Sequence, residues 1–127
     1  MSGDGNNQYF VCYNGYEYIY NNGTVTKFRN LGVTLAKRSL SLSVSKDGTY
    51  QLLTAENSVY VSSGGPFERV LSFGSNQGVV SSSGKYMAIV PYYRSSYIYT
   101  SNDYGKTWQQ TDSAGNNYWF TIAMSLI

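Results

Sequence analysis

One pattern occurs three times along the sequence, and its spacing limits the folds that the chain can adopt. A serine followed three residues later by a glycine begins each copy, at Ser2, Ser45 and Ser81. A short aromatic or aliphatic run and a polar turn follow in each copy. The first two intervals between these serines are 43 and 36 residues, and Ser125 follows Ser81 after 44. A period of about 40 residues accommodates four short strands, so we expect a chain of small repeated sheets.

The composition favours strands over helices. Thirteen Gly and two Pro separate short runs rich in Tyr, Val, Ser and Thr, and no stretch of about 11 residues keeps apolar residues at helical spacing. Leu40, Leu42 and Val44 alternate with serines, which predicts a strand with one apolar face. Residues 86–90 predict a strand that is buried on both faces. The sequence therefore predicts an all-β fold.

Residues 101–108 form the most specific motif of the chain. Its fixed positions are occupied by Ser101, Asp103, Gly105, Thr107 and Trp108. An aspartate in a turn accepts hydrogen bonds from nearby backbone amides, and a glycine there can adopt positive φ. The tryptophan that follows offers a large apolar surface for packing between sheets. We therefore expect a hairpin in which Asp103 is a structural acceptor and not a catalytic acid.

This string matches an Asp box at every fixed position, and the chain resembles the BNR repeats of sialidase-like β-propellers. The resemblance implies an antiparallel β-propeller with three blades per chain, in one domain over residues 1–127. The repeats would span approximately residues 2–44, 45–80 and 81–125. Only the third repeat has the full box, because the first two have degenerate turns. A β-sandwich is the alternative fold.

The same resemblance makes a prediction about assembly. In the repeat order of the family, the strand before the Ser-x-Asp-Gly turn is the innermost of its blade. The chain begins at such a turn with Ser2, so its first blade would lack the inner strand, and residues 118–125 match a strand of that kind. We expect a homodimer in which each copy completes the first blade of the other, giving a six-bladed ring. A trimer would give nine blades.

The residue types present argue against most catalytic chemistry. The chain has no His and one Cys, so imidazole bases and the usual zinc sites are excluded within it. No phosphate-binding glycine motif occurs. Sialidase-like propellers use an arginine triad and a Tyr/Glu pair. No motif places the candidates for those roles, which are the 14 tyrosines together with Arg29, Arg38, Arg69, Arg94, Glu17, Glu56 and Glu68. We expect no enzyme activity, no cofactor and no metal; the alternative is an excised, designed or degenerate piece of a sialidase-like glycoside hydrolase without its active site.

Tyrosine-rich loops are the candidate binding sites. The chain has 14 Tyr, whose apolar faces and hydroxyls suit sugar rings and protein interfaces. The candidates lie in corresponding loops of two repeats: Tyr92, Tyr93 and Arg94 in one, Tyr13 and Tyr16 in the other. They predict a glycan or protein ligand, although the same tyrosines could instead fill the space between blades.

Charge and cysteine content limit the partners further. The net charge of +2 is too small to indicate nucleic acid or an anionic membrane, and no apolar run is long enough to cross a bilayer. Cys12 follows Phe10 and Val11 in a predicted strand, so we expect it to be a small buried hydrophobe.

Overall fold

The computed structural model describes residues 6–12, 14–31, 41–55, 58–73, 75–91, 97–111 and 122–124. These residues contain eleven β-strands and no helix, which confirms the all-β prediction. Accordingly, the described part of the chain holds no helix that is long and apolar enough to span a bilayer.

The strands form three separate antiparallel sheets, and within each sheet every strand pairs with its neighbour in sequence. The first sheet contains β1 (Gln8–Val11), β2 (Tyr16–Asn21) and β3 (Thr24–Asn30). The second contains β4 (Ser41–Val44), β5 (Tyr50–Thr54), β6 (Val59–Ser63) and β7 (Glu68–Leu71). The third contains β8 (Ser75–Val80), β9 (Met87–Pro91), β10 (Ile98–Ser101) and β11 (Gln109–Thr111).

The three sheets differ in how they begin. β4 ends immediately before Ser45, and β8 ends immediately before Ser81, so the serine turn connects the first and second strands of these sheets. β4 contacts β1 of the preceding sheet, and β8 contacts β4 and β5. Each of these first strands therefore lies against the sheet before it. The first sheet has no corresponding strand within the described residues.

The main core lies between the second and third sheets. Leu52, Val59 and Val61 of the second sheet pack against a set from the third, namely Val80, Met87 and Ile89. The alternation of strand side chains explains which residues enter this core, because residues two apart point to the same face. The indole of Trp108 packs against this cluster. Each buried aliphatic side chain stabilises the fold by about 1.5–3 kcal/mol relative to an exposed one.

A second, smaller core joins the first sheet to the second. Leu31, Leu53 and Phe67 are buried there, and Val11 and Leu42 pack against them. On the opposite face of the first sheet large apolar side chains are exposed: Phe10 by 50%, Tyr20 by 37% and Val25 by 59%. Among the described sheets, the second is thus covered on both faces and the first on one.

The structure corrects two details of the sequence interpretation. β1 ends at Val11, and Cys12 is exposed because it opens the turn to β2, where its carbonyl accepts a hydrogen bond from Gly15. The prediction of a buried Cys12 is therefore wrong. In the segment 86–90, β9 is buried along its length, but Tyr86 precedes the strand and is 50% exposed.

Candidate functional site

The hairpin between β10 and β11 is held together by its own side chains. The Ser101 hydroxyl donates to Asp103 Oδ1 over 2.8 Å, and the Thr107 amide donates to the same oxygen over 2.9 Å. The Thr107 hydroxyl donates to Asp103 Oδ2. The Gly105 amide donates to Ser101 Oγ over 2.9 Å, and Trp108 Nε1 donates to the Gly105 carbonyl over 2.9 Å. Both oxygens of the Asp103 carboxylate are thus used inside the hairpin.

These hydrogen bonds alter the acidity of Asp103. The Thr107 hydroxyl contributes most, followed by the Thr107 amide and the Ser101 hydroxyl, and together they lower the pKa of Asp103 to about 2. All three donors bind the ionised form, which is the physical cause of the shift. A general acid at neutral pH needs a raised pKa. The environment of Asp103 therefore acts in the direction opposite to acid catalysis.

The serine turns at the start of the second and third sheets use a related arrangement. In the second sheet the Ser45 hydroxyl and the Thr49 amide donate to Asp47 Oδ1 over 3.0 and 2.9 Å. The Thr49 amide and the Ser45 hydroxyl lower the pKa of Asp47. In the third sheet Ser83 replaces the aspartate, and its Oγ accepts the Lys85 amide over 3.2 Å. The two turns are joined by a bond from the Lys46 amide to the Ser82 carbonyl over 2.9 Å.

The hairpin between β6 and β7 has no carboxylate and is closed differently. Ser62 Oγ donates to the Gly65 carbonyl over 2.7 Å. Arg29, from β3 of the first sheet, donates through Nη2 to Ser62 Oγ over 3.2 Å and to Gln51 Oε1 over 3.3 Å. Its Nη1 donates to the Gly65 carbonyl, and its guanidinium lies 4.8 Å from the centre of the Phe67 ring. A cation from the neighbouring sheet thus completes this hairpin.

The charge of Arg29 is balanced by a carboxylate that water does not reach. Arg29 Nε donates to Glu17 Oε1 over 2.7 Å, and the Glu17 side chain is 0% exposed. Glu17 Oε2 is buried and has no hydrogen-bond partner among the described residues. Breaking a buried ion pair from one side is costly, because the remaining charge stays without compensation. The Glu17–Arg29 pair is therefore a structural element of the contact between the first two sheets.

A β-bulge gives Arg29 this position. Glu17 is opposite Arg29, but Tyr18 is opposite Lys27, so Phe28 is an extra residue in β3. Regular alternation would place Lys27 and Arg29 on the same face, and the bulge places them on opposite faces. Lys27 Nζ consequently lies 4.1 Å over the Tyr16 ring. No pattern in the sequence marks this bulge, which is why the role of Arg29 was not predicted.

Apart from Glu17, none of the other candidates that the structure describes is bound to Arg29. Tyr16 is the first residue of β2, and the ammonium of Lys27 covers one face of its ring. Glu68 and Arg69 are both exposed and lie on β7, at the outer edge of the second sheet. The remaining candidates lie outside the described residues: Tyr13, Arg38, Glu56, Tyr92, Tyr93 and Arg94. Within the described ranges, no three His, Cys, Asp or Glu side chains are grouped so that they could hold a metal ion.

Among the described residues, cavities lie at the sheet faces, and two of them bear on the candidate sites. One of about 380 Å³, between the second and third sheets, is lined by apolar and charged groups that include Val61, Glu68, Tyr104 and Lys106. The other, of about 190 Å³, lies on the third sheet, where Tyr86, Thr100 and Gln109 border it. Met124, from the segment near the end of the chain, borders this second cavity.

Comparison with known proteins adds a likeness in fold. No protein-family model matches the sequence, and no curated protein matches it. Among solved structures, hydrazine synthase of Kuenenia stuttgartiensis is similar, with a TM-score of 0.67 at 13% identity. The match covers 87% of this chain and 33% of that chain, so this chain spans about a third of its length. At this identity the likeness concerns the fold alone.

Proposed function

We propose that this chain is a non-catalytic binding or scaffold module, made of propeller blades, that assembles with a second copy into a closed six-bladed ring. Each copy contributes three sheets. Residues 118–125 of each copy pair with β1 of the other and complete its first sheet. Twofold symmetry makes the two exchanges identical.

The observation that carries this proposal is the difference in strand number between the sheets. The second and third sheets have four strands, whereas the first has three within the described residues, with β1 at its edge. An edge strand presents backbone N–H and C=O groups that another strand can pair. A strand added beside β1 would occupy the place that β4 and β8 occupy in their sheets.

The position of Met124 supports the same arrangement. β4 lies against the first sheet and β8 against the second, so the next strand in this series would lie against the third. Met124 borders the cavity on the third sheet together with Tyr86 and Thr100. Of the segment that we propose to be exchanged, the structure describes residues 122–124, and Met124 is adjacent to the surface on which the next sheet would begin.

The non-catalytic part of the proposal is supported by three of the four carboxylates in the described residues, Glu68 being the exposed fourth. Asp47 and Asp103 accept hydrogen bonds within their turns, and Glu17 is ion-paired and buried. Groups committed in this way are not available to transfer protons to a substrate. Ligand recognition by Tyr92, Tyr93 and Arg94 remains part of the proposal on the strength of the sequence, with a glycan or a protein surface as the ligand.

The mass of the 127-residue protein in solution tests the assembly. One chain has a mass of 14.1 kDa, and we expect sedimentation equilibrium to give the mass of two chains. A mass of one chain would contradict the proposal, and a mass of three would replace the six-bladed ring with a nine-bladed one. Deleting residues 118–127 should abolish assembly, and a deletion variant that still forms the two-chain species would show that strand exchange does not close the ring.

Ligand recognition requires a separate experiment. A glycan array with the assembled protein would identify a sugar ligand, and replacement of Tyr92, Tyr93 and Arg94 by alanine should then reduce its affinity about tenfold or more. The matched control is Tyr60→Phe, which changes a tyrosine outside the candidate loops and keeps its ring packed against the smaller core. Unchanged affinity in the triple variant would remove these loops from the proposal.

A further inference from the structure

Each of the two contacts between sheets contains a tyrosine packed on a glycine of the next sheet. The ring of Tyr9, in the first sheet, lies on Gly48 in the serine turn of the second sheet. The ring of Tyr50, in the second sheet, lies on Gly84 in the serine turn of the third. In both places a Cβ on the glycine would overlap the tyrosine side chain, and both glycines have positive φ, 79° and 86°. The close approach therefore requires glycine at both turns.

The third sheet has a tyrosine at the corresponding position, but its ring has no such partner within the described residues. Tyr86 follows Gly84 by two residues, as Tyr50 follows Gly48. Tyr50 is partly buried in the core between the second and third sheets, whereas Tyr86 is 50% exposed. The third sheet thus presents the packing group of another sheet contact, and no further sheet receives it within the described residues.

The receiving surface is present at the other end of the stack. The first sheet packs on the second through Tyr9, Val11 and Leu31, and no other described sheet covers its opposite face. On that face Phe10 is paired across the strands with Tyr18, and Tyr20 with Val25. Phe10, Tyr20 and Val25 are all exposed, and clustered exposed apolar groups of this size indicate an interaction surface.

We propose that the face of the third sheet around Tyr86 docks on the open face of the first sheet of a second copy, against Phe10, Tyr20 and Val25. This inference rests on the proposed ring, and it names the side chains that hold the ring together independently of strand exchange. The occupant is a second copy because Tyr86 follows its turn glycine by two residues, as Tyr50 does, and Tyr50 packs on the next sheet of the same chain. Met124 lies at the same face, where the exchanged strand would continue into the docked sheet.

The experiment places one charge on each face and measures the mass in solution. The variants are Tyr86→Asp and Phe10→Asp, and the matched control is Arg69→Asp on β7, at the outer edge of the second sheet. We expect the parent and the control to sediment as two chains. Each face variant should weaken assembly by about 30-fold or more, as for a central aromatic of an interface, while its circular dichroism spectrum stays that of the parent. Should either aspartate variant lose the parent spectrum, Tyr86→Ser and Phe10→Ser take its place with the same expected masses.

Mixing the two face variants gives the decisive result. In a pair made of one copy of each, one of the two contacts joins the intact first-sheet face of Tyr86→Asp to the intact third-sheet face of Phe10→Asp. Neither variant alone can form an intact contact, so the mixture should recover the two-chain species. A mixture that stays monomeric, or a face variant that assembles like the parent, would overturn the inference.

The outcomes separate this inference from the proposed ring. Suppose that the parent assembles, that deletion of residues 118–127 abolishes assembly, and that Tyr86→Asp still assembles. This result would support the strand exchange and contradict the docking faces. A monomeric parent would overturn both.

Discussion

Two hairpins of this protein occupy the same place in neighbouring sheets and are closed by different means. The hairpin of the third sheet uses Asp103, which accepts the Thr107 amide and the Ser101 hydroxyl within eight residues of chain. The hairpin of the second sheet has no carboxylate, and Arg29 of the first sheet donates to Ser62 and to the Gly65 carbonyl. One hairpin is complete by itself, and the other is complete only when two sheets are packed.

This difference determines whether a substitution in the hairpin should destabilise only the hairpin or the whole fold. A lost hydrogen bond at Asp103 leaves amides that water can reach, because the turn is at the surface. Loss of Arg29 leaves the Glu17 carboxylate buried, and it also removes the hydrogen bonds of Arg29 to the second sheet. We therefore expect local consequences at the first hairpin and global ones at the second.

Replacement of Arg29 should have the largest effect. Arg29→Ala leaves the fully buried Glu17 without its ion-pair partner, and removing one member of a buried pair costs about 3–5 kcal/mol. That is a large part of the stability of an ordinary domain. Urea unfolding followed by tryptophan fluorescence measures the loss.

A double variant shows whether the unpaired charge of Glu17 causes the loss of stability in Arg29→Ala. Arg29→Ala with Glu17→Gln removes the buried charge and should recover part of the lost stability. A loss of less than about 1 kcal/mol in Arg29→Ala would contradict the structural role that we assign to the pair.

Replacement of Asp103 should have a smaller effect that is confined to its hairpin. Asp103→Ala removes the acceptor of the Thr107 amide, so we expect the melting temperature to fall by several degrees and hydrogen exchange to increase in residues 102–108. Asp103→Asn keeps one acceptor oxygen, so its melting temperature should lie between those of the parent and Asp103→Ala. If Asp103→Ala melted like the parent while a bound ligand was lost, Asp103 would be a functional and not a structural residue.

The smallest expected effect is on the pH dependence of stability, compared between the parent and Asp103→Asn. The folded-state pKa of Asp103 is about 2, below the value of about 3.9 for an unperturbed aspartate. Its contribution to stability is therefore complete above about pH 4 and is lost as the pH falls through about 2. The free energy of unfolding should decrease over this range in the parent, and less steeply in Asp103→Asn.

Asp47 provides the comparison for that measurement. Its pKa is lowered in the same direction, so Asp103→Asn should retain part of the slope. The hairpin between β6 and β7 has no carboxylate in its turn and should contribute nothing to this pH dependence. If the free energy of unfolding fell equally steeply with pH in the parent and in Asp103→Asn, folding would not lower the pKa of Asp103.

The features that could be predicted from the sequence are those with a short-range cause. Alternating Leu40, Leu42 and Val44 predicted a strand, and the structure describes β4 over Ser41–Val44. The all-β class followed from the same kind of pattern. Cys12 shows the limit of this reasoning, because the pattern did not determine the residue at which β1 ends and the turn begins.

The sequence by itself determined that the chain forms strands joined by tight turns, though not every boundary, since alternation, glycine and a side-chain acceptor act over a few residues. Only the tertiary structure decided what each sheet packs against. The bulge at Phe28 turns Arg29 toward the second sheet, and its partners Gln51 and Ser62 are 22 and 33 residues away. Such contacts depend on how the faces of separate sheets meet, and no local pattern in the sequence carries that information.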